Sequence, residues 1–464
     1  MGDISVTFKT ELINQVEQDK NSDGILLLGT ATDGPVMEIV QVHDALMMHD
    51  VYDSGELVRA YGEATLHGAD NIYIMRITGK GSSLTVLEDS TEEELFTITS
   101  VHGGEKYNDN FALVTDSTIV LSYIFGQTVG SNTIAYKSTD TIDGICYKIN
   151  SYSYLHGCVA TPKKQGTFVL KQETYLSSSG EDEKELTGRQ REAALNNAYN
   201  VLKSNPKKFK IVVPLRATVN DPRIDFIGPL DELCRERSHS TLSTIGVIGA
   251  EIGNYSAMIT RITRKPMTCY LNTICIYSNA TLEAFNYNDQ QELNSSTYVC
   301  TTPEAVLAGL IAKTPITSSI NNKQVNLMLE SIPLTTEEKG ALARLGINTF
   351  DYVIGRGYCV RGGKTVAYSA DLSEISYLRL VLYIQDKIRE IAEGGIGENI
   401  NLFAKRESKI NEFMDALSQQ KVIKAYNLNV EYKNNDTVEI FGDITPIGSI
   451  RSIAIDVTMI VQRY

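Results

Sequence analysis

Apolar and polar residues alternate near both ends of the sequence, a pattern typical of β-strands with one buried face. Near the start, Ile4, Val6 and Phe8 share one face, and a polar stretch at 14–23 follows them. Near the end, the alternation predicts a strand with one apolar face, made of Ile453, Ile455, Val457, Met459 and Val461. A strand on a polar linker has no local partner. The first strand therefore either returns to its own sheet or pairs with another chain.

Between these ends the pattern predicts strands and helices in alternation. The apolar run 24–29 predicts a buried strand, 54–67 a helix capped by Ser54, and 71–77 the next strand. The alternation resumes later with predicted helices at 189–202 and 224–238 and predicted strands at 209–215 and 244–249. This order is typical of α/β layers.

Two regions depart from the α/β pattern. Residues 81–186 contain short β-rich runs separated by Gly, Asn, Asp and Ser, with predicted strands that include 111–114, 118–124 and 146–149. The last part of the chain has amphipathic helices at 374–391 and 402–419, followed only by strands. We therefore expect a mixed α+β and α/β, multidomain chain. Its predicted parts are an N-terminal strand segment (1–23), an α/β core (24–80 and 187–370), a β-rich insertion (81–186) and a C-terminal α+β domain (371–464).

The charge of the chain narrows the function classes. The 464 residues carry a formal net charge of −14 and are 42% hydrophobic, which is enough for several buried cores. Residues 1–100 hold 18 acidic and 5 basic residues, so most of the negative charge lies there. This negative charge argues against direct nucleic-acid binding, which needs clustered Lys and Arg. It also argues against binding to an anionic membrane surface.

Cysteine, histidine and hydropathy favour a chain made and kept in a reducing cytoplasm. The seven cysteines are dispersed without a CxxC pair, and an odd, scattered count is typical of free thiols. The six histidines show no HxxxH spacing, so we predict no metal site. No targeting segment and no apolar run of about 20 residues is visible, and we expect no membrane insertion.

The strongest enzyme-like motif is the Gly-rich string that ends in Gly362-Gly363-Lys364-Thr365. A phosphate-binding loop needs a Gly five residues before the Gly of Gly-Lys-Thr, but Tyr358 stands there, since Gly357 is one residue too far. A Gly-rich turn is the preferred interpretation. An α/β nucleotide-binding enzyme that uses 362–365 is kept as the alternative function, and no catalytic, cofactor-binding or metal-binding residue is predicted.

Five sets of short motifs stand in order along the chain. They are 24–35 with 55–61, 68–69 and 72–76; 103–105 with Asn110; Pro303 with 308–309; 342–348 with 355–357, 364–365 and 376–379; and 445–446 before the final strand. Together they resemble the contractile tail sheath family of bacteriophage tails and phage-tail-like particles. The chain departs from the family at 360–365, where the family often has a Trp-Gly-Ala-Arg-Thr-like run. Apart from 103–105 and Asn110, the insertion at 81–186 has no residues that match.

The resemblance implies a structural, non-enzymatic subunit without a cofactor. Such a subunit polymerises helically around an inner tube and contracts to drive the tube through the target cell envelope. The insertion is then an outer part, 371–464 an inner domain, and the terminal strands are arms that complete the sheets of neighbouring subunits. The implied partners are further copies in a stack of rings, which the family resemblance implies to be hexameric, the inner tail tube protein, and baseplate and tail terminator proteins. The implied location is the tail of a virion or phage-tail-like particle, assembled in the host cytoplasm.

Three alternatives stay open beside this interpretation. Both terminal strands could fold back into their own domain. The chain could be another self-assembling phage part, although tube proteins are normally shorter and mostly β. The third alternative concerns Lys405, Arg406 and Lys409, which cluster near the start of the last predicted helix. We hypothesise that these three residues face acidic groups on the tube. The competing interpretation of these three residues is an ordinary solvated helix face.

Overall fold

A computed structural model describes most of the 464-residue chain. The described residues are 24–180, 186–217, 224–238, 242–250, 273–277, 302–326, 335–366, 372–395, 403–434, 437–447 and 453–460. The predicted first strand with Ile4, Val6 and Phe8, and the predicted arm residue Val461, lie outside the described residues.

The described strands and helices follow one another in mixed order. The strands are β1 (Ile25–Gly29), β2 (Ile39–Val42), β3 (Ile72–Arg76), β4 (Gly81–Leu87), β5 (Glu94–Gly103), β6 (Phe111–Val114), β7 (Thr118–Phe125), β8 (Thr128–Ala135), β9 (Cys158–Pro162), β10 (Thr174–Leu176), β11 (Ile211–Pro214), β12 (Ile245–Ala250), β13 (Thr273–Tyr277), β14 (Ile347–Val353), β15 (Gly357–Arg361), β16 (Ile423–Asn434), β17 (Thr437–Pro446) and β18 (Ile453–Ile460). The helices are α1 (Ala45–Tyr52), α2 (Glu56–Leu66), α3 (Ile142–Asn150), α4 (Ser153–His156), α5 (Gly188–Lys203), α6 (Ile227–Ser238), α7 (Pro303–Lys313), α8 (Thr336–Arg344), α9 (Ile375–Glu393) and α10 (Ala404–Gln419), with a 3₁₀ turn at Glu105–Asp109.

The largest sheet has the order β15-β14-β13-β12-β11-β1-β3-β2. Its inner strands, from β14 to β3, run parallel, and β15 and β2 are antiparallel edges. Strand β1 is buried along its whole length, as expected for a parallel strand covered on both faces.

The two faces of β1 belong to different layers. Ile25 and Leu27 pack in a core with α1, α2, α7 and α9, whereas Leu26 and Leu28 pack in a second core with α5 and α6. Helix α2 begins two residues later than predicted, after Gly55, and the predicted cap Ser54 instead lies 3.0 Å from the Thr32 hydroxyl. The predicted α/β alternation is thus present as a three-layer arrangement.

The region 81–176 forms two small antiparallel sheets, β10-β6-β7-β8 and β4-β5-β9, around a buried core of their own. Helix α3 also belongs to this core, and here the predicted strand at 146–149 is wrong. Ile142, Ile145, Cys146 and Ile149 are spaced by three and four residues, so a helix buries all four on one side.

The last part of the chain consists of α9, α10 and the antiparallel sheet β16-β17-β18. Residues of both helices and of β16 and β17 belong to the same core as Ile25 and Leu27 of β1 in the large sheet. The predicted mixed α+β and α/β fold class is confirmed. The division into four domains stays a prediction.

Candidate functional site

The terminal sheet β16-β17-β18 has an open edge on each side among the described residues. Strand β17 lies in the middle, and no described strand pairs with the outer side of β16 or β18. Strand β16 is 12 residues long, and a long open edge is a ready template for pairing with another chain. Gly442 lets β16 and β17 approach closely, because a Cβ there would lie 2.0 Å from the carbonyl oxygen of Asn427. The sheet therefore has the geometry that strand addition needs.

One face of this sheet is covered by the two helices. Tyr426, Leu428 and Val430 of β16 pack against the core, with Ile440 of β17 buried behind them. The Tyr426 hydroxyl donates a hydrogen bond of 2.7 Å to the Asp415 carboxylate of α10. Burial and this contact raise the pKa of Tyr426 to about 12, so the phenol stays protonated and holds strand and helix together.

The other face of the sheet is polar and acidic. Glu431 of β16 stands opposite Glu439 of β17, and Asn427 stands opposite Asp443. Asn427, Glu431 and Asp443 are exposed.

The predicted C-terminal arm is paired with its own chain in the structure. Ile453, Ile455, Val457 and Met459 lie on β18, and their partners on β17 are Ile444, Gly442, Ile440 and Val438. The strand itself is thus present where the alternation predicts it. Its donation to a neighbouring copy stays a prediction, as does donation of the strand with Ile4, Val6 and Phe8.

The predicted tube-facing residues do not behave alike. Lys405 and Lys409 are exposed on the first turns of α10, and neither ammonium group has an ion pair or hydrogen bond among the described residues. Arg406 is partly buried and its Nη2 donates to the carbonyl oxygen of Gly394 at 2.5 Å, at the end of α9. Lys405 and Lys409 form one exposed basic face, whereas Arg406 has a structural contact. Whether this face meets a tube stays a prediction.

The Gly-rich string forms a turn between β15 and the start of α9. The Lys364 amide donates to Asn348 Oδ1 at 2.7 Å, and Asn348 Nδ2 donates back to the Lys364 carbonyl oxygen at 2.8 Å. The Lys364 ammonium group pairs with Glu374, the residue before α9. The amide and the ammonium group that a phosphate would need thus have protein partners, which gives the nucleotide-binding alternative no support.

The carboxyl edge of the large sheet holds a buried charged cluster that the sequence did not indicate. Strands β1 and β11 are neighbours, but the next sheet strand beside β1 is β3 and the next beside β11 is β12, on the opposite side. Sheets of α/β proteins often bind ligands at the carboxyl ends of two such strands. Here Glu56 accepts hydrogen bonds from Arg191 Nη1 at 3.2 and 3.1 Å and from the Thr30 hydroxyl at 2.7 Å. The protein's own side chains therefore occupy the described part of this crevice.

Two further carboxyl groups lie close to this cluster. Glu63 accepts from the amide of Thr302 at 2.8 Å, and Glu304 accepts from the amide of Arg216 at 2.9 Å. Burial, reinforced by the charges of Glu56 and Glu63, raises the pKa of Glu304 to about 7. We interpret this buried acid as part of the packing between α7 and the sheet.

A second polar cluster joins the loop after β1 to the region 81–176. The buried carboxylate of Asp33 accepts from Lys106 Nζ at 2.6 Å, lies 3.1 Å from His102 Nδ1, and accepts from the Tyr107 hydroxyl. Burial alone would raise the pKa of Asp33, but these hydrogen bonds together lower it well below its usual range. The charged form of Asp33 is therefore the stable one in the folded protein.

Arg76 completes this junction from the other strand. Its Nη1 donates to the carbonyl oxygens of Gly34 and Gly103, both at 3.0 Å, and its side chain is buried. We name the set of Asp33, Arg76, His102, Lys106 and Tyr107 the polar junction. Its members lie up to 74 residues apart in sequence, so no local pattern could have predicted it.

The described residues contain neither a metal-binding cluster nor a membrane-spanning helix. Within the described part of the chain, no group of three or more His, Cys, Asp or Glu side chains could hold a metal ion. Among the same residues, no helix combines the length and the apolar composition that a bilayer crossing requires.

Several solved structures have a fold similar to that of this chain. No protein-family model matches the sequence, and no curated protein matches it either. The structure is similar to the sheath tail protein from Listeria innocua, with a TM-score of 0.60 at 11% identity over 97% of this chain and 100% of that one. It is similar to the sheath tail protein from Desulfitobacterium hafniense, with a TM-score of 0.56 at 15% identity over 95% and 97% of the two chains.

A third similar structure is a chain of the anti-feeding prophage baseplate, which was solved with six-fold symmetry imposed. Its TM-score is 0.50 at 11% identity, over 96% of this chain and 93% of that one. Together these likenesses show that the chain has the fold of sheath tail proteins over nearly its whole length.

Proposed function

We propose that the chain is the structural subunit of a contractile tail sheath, with a mechanical and non-enzymatic role. The subunit polymerises helically around an inner tube and contracts to drive the tube through the target cell envelope. The observation that carries the proposal is the terminal sheet, whose two edges have no partner strand among the described residues, on a chain that has the sheath fold over 95–97% of its length.

The open edges provide the links between copies. The strand with Ile4, Val6 and Phe8 adds to an open edge of a neighbouring copy, where main-chain hydrogen bonds hold it and alternate side chains fill apolar positions. Strand β18 pairs with β17 of a neighbour in the register that it has within one chain. Such an exchange costs little because the same contacts form in either arrangement.

The connection between β17 and β18 limits how far β18 can reach. Seven residue steps separate Pro446 from Ile453. Fully extended, they span at most about 25 Å. A neighbour that receives β18 must therefore present its β17 within that distance. Head-to-tail links of this kind do not close on themselves, and they generate a helical tube.

The remaining partners follow from the same function. Copies form a stack of rings, which we propose to be hexameric because one structural neighbour belongs to a six-fold symmetrised baseplate. The inner tail tube protein lies inside the stack, and baseplate and tail terminator proteins lie at its ends. The location is the tail of a virion or phage-tail-like particle, assembled in the host cytoplasm. In this arrangement 371–464 is the inner domain, 81–186 the outer insertion, and 24–80 with 187–370 the core between them.

Contraction uses the same links as hinges. The copies move as rigid bodies while the exchanged strands stay paired, and the shorter lattice buries more surface between outer parts. Burial at about 25 cal/mol per Å², repeated over many copies, supplies the free energy without a nucleotide.

The test is electron microscopy of the overexpressed protein in negative stain. We expect hollow cylinders from the full chain and dispersed particles from a variant that lacks residues 1–10. A matched control exchanges Ile354 for Glu in the turn between β14 and β15, which should leave the cylinders intact. Dispersed particles from the full chain under all conditions of concentration and salt would contradict the proposal.

A further inference from the structure

A cleft opens at the amino edge of the large sheet, where α9 crosses the starts of the strands. Its volume is about 560 Å³, and its lining includes Tyr73, Lys208, Ile245, Ile316, Leu382 and Tyr383. Such a volume is within the range of sites that bind small ligands or short peptide segments.

The chain enters the fold at the mouth of this cleft. A Cβ built on Gly24 would lie 3.0 Å from Asn71 Nδ2 and 3.1 Å from the Tyr73 ring, and both residues line the cleft. Gly24, the first described residue, therefore lies at this opening, and 23 residues precede it in the sequence.

The charges inside the cleft are largely paired already. Lys210 Nζ lies 2.5 Å from Asp386 Oδ2, and the Ser243 hydroxyl donates to the other oxygen of Asp386 at 2.6 Å. The exposed Lys208 has no ion pair among the described residues, and its carbonyl oxygen lies 3.4 Å from the position of a Cβ on Gly24. The cleft thus offers several apolar side chains and the exposed Lys208 near the point of entry. Elsewhere in its lining Lys387 pairs with Glu390 at 3.2 Å, and the exposed Glu393 lies at the end of α9.

The preceding segment has the matching chemistry. Leu12, Ile13 and Val16 are its apolar residues, and Asp19 and Asp23 are acidic residues close to Gly24. The eight residue steps from Val16 to Gly24 span at most about 28 Å when extended. The 15-residue stretch of α9 from Arg379 to Glu393 along the cleft is about 21 Å long, so Val16 can reach any part of it.

We propose that residues 12–23 dock in the cleft of their own chain, with Leu12, Ile13 and Val16 against its apolar side chains and the acidic residues near Lys208. The docked segment fixes the direction in which residues 1–11 leave the subunit. The docking itself does not depend on the sheath function. Its consequence, that a neighbour receives the first strand at a defined position, rests on the function proposed above.

Trypsin cleavage of the dilute, dispersed full chain tests the docking. The segment contains Lys20, whereas Lys9 lies outside it and serves as an internal reference. We expect cleavage after Lys20 to be on the order of tenfold slower than after Lys9, because a docked segment is cut only from its open state. Ile316→Glu, at the half-buried lip of the cleft, should remove this difference. Ile354→Glu, the same exchange at an exposed position outside the cleft, should leave it unchanged.

A reporter inside the segment keeps the test valid if Ile316→Glu fails to fold. The chain contains no tryptophan, so Val16→Trp places a single indole in the segment. We expect blue-shifted emission that is protected from acrylamide and independent of protein concentration.

Several outcomes would overturn the proposal. These are equal cleavage after Lys9 and Lys20, protection at Lys20 that Ile316→Glu leaves intact, and emission typical of water. Protection that appears only at high protein concentration would also overturn it, since the occupant would then be a neighbour's segment. Hollow cylinders in the microscope together with any of these results would leave the sheath function standing and reject the docking alone.

Discussion

Replacing the buried carboxyl group of Glu304 by an amide should stabilise the protein above neutral pH. The pKa of this group rises from 4.5 to about 7 on folding, first because the side chain is buried and then because Glu56 and Glu63 lie nearby. The folded protein therefore binds a proton that the unfolded chain releases between these two values. The stability that this proton provides is present at acid pH and is lost as the pH rises through about 7.

The size of the effect follows from the shift. At about 1.4 kcal/mol per pKa unit, the wild type should lose about 2–3 kcal/mol of unfolding free energy between pH 5 and pH 8 through this group. The variant Glu304→Gln cannot lose it, and its amide oxygen can still accept the hydrogen bond from the Arg216 amide, which is 2.9 Å long in the wild type. We therefore expect near-equal stabilities at pH 5 and a variant that is about 2–3 kcal/mol more stable at pH 8.

Urea unfolding at the two pH values, followed by circular dichroism, measures this difference. The control is Glu393→Gln, which changes an exposed carboxylate at the end of α9 and should leave the pH dependence as it is in the wild type. A Glu304→Gln variant that is less stable than the wild type by the same amount at both pH values would refute the reasoning. Glu304 would then be charged in the folded protein at neutral pH.

Three further predictions concern the polar junction, the basic face of α10 and the Gly-rich turn. Asp33→Asn should lower the unfolding free energy at pH 7 by about 2–4 kcal/mol, because it removes a buried charge from its partners. Because folding lowers the pKa of Asp33, its charge stabilises the folded protein fully above pH 3.8 and progressively less below it. The difference in unfolding free energy between wild type and Asp33→Asn, measured by urea unfolding, should therefore shrink as the pH falls below 3.8. A difference that does not change with pH would count against this. Charge reversal of Lys405 and Lys409 to Glu should reduce co-sedimentation with the tube protein and change the unfolding free energy by less than about 0.5 kcal/mol. The control Lys323→Glu should leave both co-sedimentation and stability nearly unchanged, and unchanged assembly of the double variant on tubes would end this idea. Finally, calorimetry should find no ATP binding by the wild type or by Lys364→Ala, and binding that disappears in the variant would favour a nucleotide-dependent enzyme.

Elements with a strong hydrophobic period could be predicted from the sequence. The buried run of β1 was expected at 24–29 and lies at Ile25–Gly29, and the amphipathic α9 was expected at 374–391 and lies at Ile375–Glu393. In both elements the local pattern and the tertiary packing favour the same conformation. Helix α3 shows the opposite case, because the β-rich context predicts a strand at 146–149, whereas Cys146 and Ile149 lie on the buried side of a helix over Ile142–Asn150.

The contacts between distant parts of the chain could not be predicted. The polar junction joins Asp33 to His102 and Tyr107, and the cluster at the carboxyl edge joins Glu56 to Arg191, which lies 135 residues away. Such pairs leave no periodicity in the sequence, because each member alone looks like an ordinary surface residue. The pairing of β18 with β17 was also open, since an amphipathic strand fits its own sheet and a neighbour's equally well.

The exchange of β18 between copies is tested most directly by a disulfide between two chains. Glu439 of β17 and Thr458 of β18 are direct partners in the antiparallel register. Cross-strand Cβ atoms of such a pair are about 4.5–5.5 Å apart, close enough for a disulfide after a small adjustment. One tagged chain carries Glu439→Cys, a second carries Thr458→Cys, and both are co-expressed and oxidised in the assembled state. We expect a disulfide that joins the two different chains in hollow cylinders. Cylinders in which the two chains, each with one introduced cysteine, never join at these positions, while a chain with both introduced cysteines closes its own disulfide there, would contradict strand exchange.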